Sequence, residues 1–396
     1  MTTPREAAVL PGVDPRATAA GRLAWIDQLR TLAILLVVNM HACVTYSHVG
    51  SWYVKEGPEL PLIDTLLFVF WQGHLQSFFM GILFLAAGYF AHGSLARRGA
   101  SGFLRERLVR LGLPTLLYMA AIQPLTVYVL SPGGAGIRSV PHAWLRYFAS
   151  GRVFGGTGPM WFTAALLVFS FALAGWHLLR PLAPRPARPG ALPRPPAFIA
   201  WAAALVAATF LVRTVQPVGT AVLNMQLCYF PQYVLAFATG VAAAKGGWFE
   251  ALARSALARR AGWTALVLGP VALGALLWAA GILRGKGTGD LLGGWHLASL
   301  GFSAWEQLAG LGLGLGALAF CSGKLDRETA LSRWLAERSF GVYLLHPPIL
   351  VAITMALRHF DMEPYFKVSI LTGAGFAAAC IAADLARRLP GLKAIV

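Results

Sequence analysis

The chain has 396 residues, of which 57% are hydrophobic and only 12% charged, and its mean hydropathy is +0.62. A soluble globular chain carries roughly 25% charged residues, so most of this surface faces something apolar, and lipid is the direct answer. Net charge is +17, and because the basic residues lie between apolar stretches they set topology and meet anionic headgroups or an anionic cofactor, not nucleic acid.

Residues 1–22 are polar to mildly apolar, with Pro4, Pro11, Pro15, Arg5, Arg16 and Arg22. They hold no signal-peptide apolar core and read as a flexible cytoplasmic tail. A helix needs about 20 apolar residues to cross a bilayer. On that measure the sequence predicts an all-α polytopic membrane protein of about ten transmembrane helices. The predicted spans are 29–48, 65–92, 114–131, 159–179, 198–213, 227–245, 262–282, 296–320, 338–357 and 366–386, the second long and the fifth short. Together they make one transmembrane domain over 23–388, followed by a short cytoplasmic tail at 389–396.

The connection 93–113 carries Arg97, Arg98, Arg105, Arg107 and Arg110. That at 180–197 has Arg180, Arg185, Arg188 and Arg194 among seven prolines, an extended linker. Arg254, Arg259 and Arg260, then Lys324, Arg327 and Arg333, and finally Arg387, Arg388 and Lys393 fall on the same side when the count is ten. The opposite connections are poorer: 49–64 has only Lys55 and 214–226 has no charge, with 132–158 (Arg138, Arg146, Arg152) as the exception. The positive-inside rule then puts both termini in the cytoplasm and the protein in the cell inner membrane. No internal repeat is visible, which weighs against inverted-repeat transporters. Cys43, Cys228, Cys321 and Cys380 lie in or beside apolar stretches, have no metal-ligand spacing, and are expected as small packing residues.

Ionisable groups inside lipid are costly and so are candidates for function. In the first span Arg30 sits at the cytoplasmic end and His41 lies eleven residues on. Eleven helical residues rise about 16 Å and turn to within about 20° of the starting direction, which puts both on one face with His41 near mid-membrane. Desolvation keeps such a histidine neutral, as a general base requires; the plainer alternative is a packing histidine bonded to a neighbouring helix. Arg107 and Arg110 are neighbours on a helix, suited either to gripping phosphate or to lying on anionic headgroups. His346 stands eight residues past Arg338 at a similar depth, with Pro347 and Pro348 expected to kink the helix and free backbone carbonyls toward a cavity. Glu306 is a carboxylate deep in the eighth span that needs a partner among Arg30, His41 and His346, or else braces the fold. His74 is a weaker candidate, Asp27 is placed to orient Arg30, and Trp161 with Phe162 fits an interfacial aromatic belt.

Taken together, several segments resemble the acyltransferase type 3 family of integral membrane acyltransferases. They are Asp27-x-x-Arg30 with His41, Arg107-x-x-Arg110 before Pro114, Gly158-Pro-Met-Trp161-Phe162, the Tyr229-Phe-Pro-Gln-Tyr233 stretch to Gly240, and Ser339 to Pro347, spread over about 22–386. SHVGSWY and FFMGILFLAAGYF are most similar to the branch containing glucan biosynthesis protein C. The resemblance implies ten core helices, an acyl-CoA donor at the cytoplasmic face and a carbohydrate or similar hydroxyl acceptor at the outer face. It also implies that His41 and Arg30 are needed for catalysis.

The expected activity is therefore transfer of an acetyl or succinyl group to an extracytoplasmic hydroxyl, with acyl-CoA as co-substrate, no tightly bound cofactor and no metal. Arg105, Arg107 and Arg110 are expected to hold the donor phosphates. His41 is expected to deprotonate the acceptor or to carry the acyl group itself, with Arg30 at the oxyanion or steering the donor, and Glu306 or Asp27 holding an imidazole tautomer. His346 is a cavity-lining candidate. The rival reading is a polytopic exporter of an envelope glycan or small molecule without acyl transfer.

Overall fold

A computed structural model describes residues 23–128, 139–182 and 190–392. The expected tail 1–22, residues 393–396 of the expected tail 389–396, and Arg138, Arg185 and Arg188 lie outside the described residues. Those described are helical, with one isolated backbone bridge, Val222 to Met225, in place of any sheet. The long helices are α1 (Ala24–Ser47), α2 (Leu62–Arg107), α3 (Trp161–Leu179), α4 (Pro195–Val215), α5 (Phe230–Gly246), α6 (Ala256–Ala279), α7 (Leu297–Lys324), α8 (Ala330–Leu357) and α9 (Pro364–Arg388). A ten-residue helix, Val140–Ala149, lies between α2 and α3.

Among the described residues nine helical runs are long and apolar enough to cross a membrane, and one of them is the 66-residue stretch Leu62–Val127. A straight helix of that length would be about 99 Å long, three times the hydrocarbon core. It is not straight. Gly99 has φ 68° and ψ 176°, a conformation open in practice only to glycine, and the chain folds back there. The proof is that Ser94 Oγ reaches Glu106 Oε2 at 3.1 Å, and Arg98 Nε reaches it at 3.2 Å, across twelve and eight residues. Twelve residues of unbroken helix would separate the first pair by about 18 Å. The predicted second and third spans are thus the two arms of one run, and the turn between them carries the arginines.

The second arm is widened twice into π-helix, at Leu108–Gly112 and Tyr118–Ile122, each just before a proline, Pro114 and Pro124. A proline has no N–H and crowds the carbonyl four residues back, and an extra residue in the preceding turn relieves that clash. The carbonyl that Pro124 leaves without its helical partner, that of Ala120, accepts the Trp144 Nε1–H at 2.9 Å.

Helix packing depends on close approach. A Cβ placed on Gly88 would stand 2.1 Å from the Phe237 carbonyl, and one on Gly240 2.1 Å from the Leu85 carbonyl, so α2 and α5 touch backbone to backbone. Small residues serve this purpose where lipid removes the hydrophobic drive between helices. One large core joins α1, both arms of the Leu62–Val127 run, α3, α5, α8 and α9; Ala33, Val37, Phe84, Tyr118, Met160, Tyr233, Tyr343 and Leu350 belong to it. The four cysteines are buried and free.

Candidate active site

Two sequence-distant histidines meet in this core. The His41 and His346 rings lie 5.3 Å apart, centre to centre, and 14° from parallel. Trp52, from the loop between α1 and α2, stacks on His41 at 3.6 Å and lies 6.1 Å from His346. His346 is fully buried and His41 half-buried.

The tautomer of His346 follows from the sequence around it. Pro347 has no N–H to offer the carbonyl of Tyr343, its helical partner four residues back. That carbonyl takes the Nδ1–H of His346 instead, at 2.8 Å, with the Val342 carbonyl at 3.3 Å. Because carbonyls only accept, Nδ1 carries the proton and Nε2 keeps a lone pair. Nε2 of His346 and Nδ1 of His41 are both buried, and neither has a hydrogen-bond partner among the described residues. The expected kink is not a break: α8 is assigned as one helix through both prolines.

The loop holding Trp52 is fixed at several points. His48 ends α1 in a left-handed conformation at φ 59°. Lys55 Nζ donates to its carbonyl at 2.9 Å, Glu56 N donates to the Thr45 carbonyl at 2.8 Å, and Gln72 Nε2 donates to the Val49 carbonyl at 3.0 Å. Beside Trp52, Tyr53 bonds the Tyr118 hydroxyl at 2.8 Å and donates to Gln123. Burial raises the Tyr53 phenol well above its ordinary range, so it stays protonated. Gly158, at φ 49°, packs so tightly here that a Cβ would lie 2.5 Å from the Tyr53 hydroxyl.

The motif Gly158–Phe162 is a wall of this site and not an interfacial belt. Met160 is fully buried, and Trp161 stacks on Tyr233 at 5.5 Å. Phe162 meets Phe84 edge-on at 4.7 Å. Tyr343 donates its hydroxyl to the Pro159 carbonyl, which ties this wall to the helix of His346.

Glu306 belongs elsewhere. Its carboxylate takes the guanidinium of Arg213 at 2.5 Å and the Gln307 amide at 2.8 Å, so the expectation of a partner among Arg30, His41 and His346 is corrected. Arg213 is fully buried and also donates to Ser303 Oγ at 3.2 Å, and Gln307 continues through Gln232 to the Ser77 carbonyl. Sequence reading left Arg213 unremarked at the edge of a short span. The signal was there, since one buried acid in a helix bundle demands one buried base. His74 bonds the Phe70 carbonyl at 2.6 Å and meets Trp305 edge-on, away from the histidine pair.

The arginines form a separate group at the Gly99 turn. Glu106 sits among them, 3.2 Å from Arg98 and 3.5 Å from Arg110. Arg107 lies over the Phe103 ring at 5.0 Å and is acted on by the charges of Arg98, Arg110 and Arg30. Arg30 lies 3.4 Å from Asp27, and His41 is about 16 Å farther along α1. Arg105 is exposed and, two residues from Arg107, lies on the opposite helix face. The sequence anticipated the cluster but not the carboxylate at its centre.

The family described as an acyltransferase domain matches residues 23–387, and the chain belongs to this acyltransferase type 3 family. It is thus a multi-pass membrane acyltransferase. Comparison with curated proteins and with solved structures gives no match.

Proposed function

We propose that this enzyme transfers an acetyl or succinyl group from acyl-CoA to a hydroxyl of an extracytoplasmic carbohydrate or related acceptor, with the histidine pair as its chemical centre. The positive-inside bias of the arginine-rich connections, with Arg254, Arg259, Arg333 and Arg387, supports a cytoplasmic position for the face with the Gly99 turn. Arg30, Arg98, Arg107 and Arg110 hold the donor phosphates there, Arg105 extends the charged rim, and Glu106 keeps the guanidinium groups together while no donor is bound. Arginine suits the role because its fork matches phosphate oxygens and never loses its charge. The pantetheine arm then carries the thioester inward along α1 to the depth of His41.

At His41 the half-buried imidazole takes the proton of the acceptor hydroxyl. The acceptor oxygen bonds to the thioester carbonyl carbon, the carbon–sulfur bond breaks, and the departing CoA sulfur recovers the proton from the imidazolium. A positioned general base is worth roughly 10²–10⁴-fold in rate. His346 offers the Nε2 lone pair that its Nδ1 bond leaves open, beside the first ring. Trp52 shields the pair from water, and Glu306 braces the fold away from the chemistry.

The observation that carries this reading is the meeting of His41 and Trp52 with His346, about 300 residues farther along the chain, in one stack. The test is release of CoA thiol from acetyl-CoA and succinyl-CoA by purified protein with a glucose oligosaccharide as acceptor. Wild type should release thiol and acylate the sugar, and His41→Ala should do neither while remaining monodisperse. Undiminished transfer by His41→Ala would remove the histidine from the mechanism.

A further inference from the structure

The connection between α4 and α5 contains a turn that the chemistry above does not use. Val222 and Met225 exchange both backbone hydrogen bonds at 2.9 Å, across Leu223 at φ 50° and Asn224 at φ 65°. Two consecutive left-handed residues define a type I′ turn, which asparagine tolerates and a leucine does not accept without strain. Strain of this kind persists where surrounding structure imposes it. The start of the connection is anchored, since Val218 N donates to the Leu292 carbonyl at 2.9 Å and Gly294 N to that of Arg213 at 3.1 Å.

From this turn a chain of contacts leads to the histidines. Asn224 Nδ2 donates to the Gly158 carbonyl at 2.7 Å and lies 3.0 Å from Thr157 Oγ1. The next carbonyl, that of Pro159, accepts the Tyr343 hydroxyl. Tyr343's own carbonyl accepts Nδ1–H of His346. We propose that the Val222–Met225 turn is a clamp and that Asn224 is a positioning residue, holding His346 in register with His41 through Gly158, Pro159 and Tyr343. The catalytic consequence rests on the acyl-transfer reading; the geometric coupling does not.

Three variants test it. Asn224→Gly keeps the left-handed backbone but removes both side-chain contacts. Tyr343→Phe cuts the link to Pro159, and Leu223→Gly relieves the backbone while sparing the chain of contacts. Two readouts are taken: steady-state transfer from succinyl-CoA to a glucose oligosaccharide, and the rate at which diethyl pyrocarbonate modifies His346 relative to His41, followed by peptide mass spectrometry. Asn224→Gly should lower kcat by about tenfold to a hundredfold, the scale of a small misplacement, with KM for succinyl-CoA unchanged. The double variant Asn224→Gly/Tyr343→Phe should be no slower than Tyr343→Phe alone, because both act on one path. The relative modification of His346 should change alike in both single variants and stay at the wild-type value in Leu223→Gly. Wild-type kcat and modification in Asn224→Gly would overturn the clamp, as would multiplicative losses in the double variant. If wild type transfers no acyl group yet the modification pattern holds, the clamp stands and the acyl-transfer reading falls.

Discussion

The Arg213–Glu306 pair offers a perturbation whose asymmetry follows from acid–base chemistry. Both side chains are almost completely removed from solvent, 0% and 3% exposed, and they meet at 2.5 Å. Breaking such a pair from one side costs about 3–5 kcal/mol, because a charge is left buried without compensation. The two sides are not equivalent. A carboxylate left alone can take a proton and become neutral, whereas a guanidinium cannot give one up. Glu306→Gln should therefore destabilise by the full ~3–5 kcal/mol, and Arg213→Met by clearly less. The double variant Arg213→Met/Glu306→Gln should return to within about 1 kcal/mol of wild type, since exchanging a buried ion pair for neutral groups is often neutral. Unfolding of a chain like this in detergent is read operationally, as the temperature at which half the protein leaves the monodisperse peak. On that scale Glu306→Gln should lie roughly 5 °C or more below wild type. On the proposal that Glu306 braces the fold, the double variant should also recover acyl transfer. A Glu306→Gln protein as stable as wild type would refute the electrostatic argument. A double variant that is stable but inactive would return Glu306 to the chemistry.

Three further outcomes are expected. Gly99→Ala forces a side chain into φ 68°, ψ 176° and should lower the detergent melting temperature and the yield of folded protein, at a cost of about 1–3 kcal/mol; an unaffected protein would mean that the turn does not need glycine. Gly158→Ala puts a methyl group 2.5 Å from the Tyr53 hydroxyl and should reduce transfer at least tenfold, on the scale of a misplaced catalytic group, while succinyl-CoA still binds. On the proposed direct transfer, incubation with succinyl-CoA and no acceptor should leave the His41 peptide at its unmodified mass; a succinyl adduct there would establish an acyl-histidine route.

Much of the architecture was legible because lipid imposes simple rules. Runs of about 20 apolar residues gave the spans. The fold-back at Gly99 was legible only as a gap between spans, since a single left-handed glycine carries no hydropathy signal. His41 and His346 could each be singled out as buried histidines, but their meeting depends on how α1 and α8 pack, which no local pattern encodes. Trp52 carries no signal of its own, since a loop tryptophan near an interface is ordinary in membrane proteins. The partner of Glu306 was missed for a related reason: Arg213 ends a span, where arginine usually reaches water, and only the burial of this helix end distinguishes it. Trp161 shows the reverse error, for belt-like composition proved to be an aromatic wall packed on Tyr233.

The central claim is that an acyl-CoA donor is held at the arginine cluster and consumed at His41. Equilibrium binding of acetyl-CoA and succinyl-CoA to detergent-purified protein tests it most directly, comparing wild type with Arg107→Ala/Arg110→Ala and with His41→Ala. Saturable binding by wild type and by His41→Ala, much weakened in the double arginine variant, is the predicted result. Absence of binding by wild type, or binding that ignores the arginines, would contradict the account.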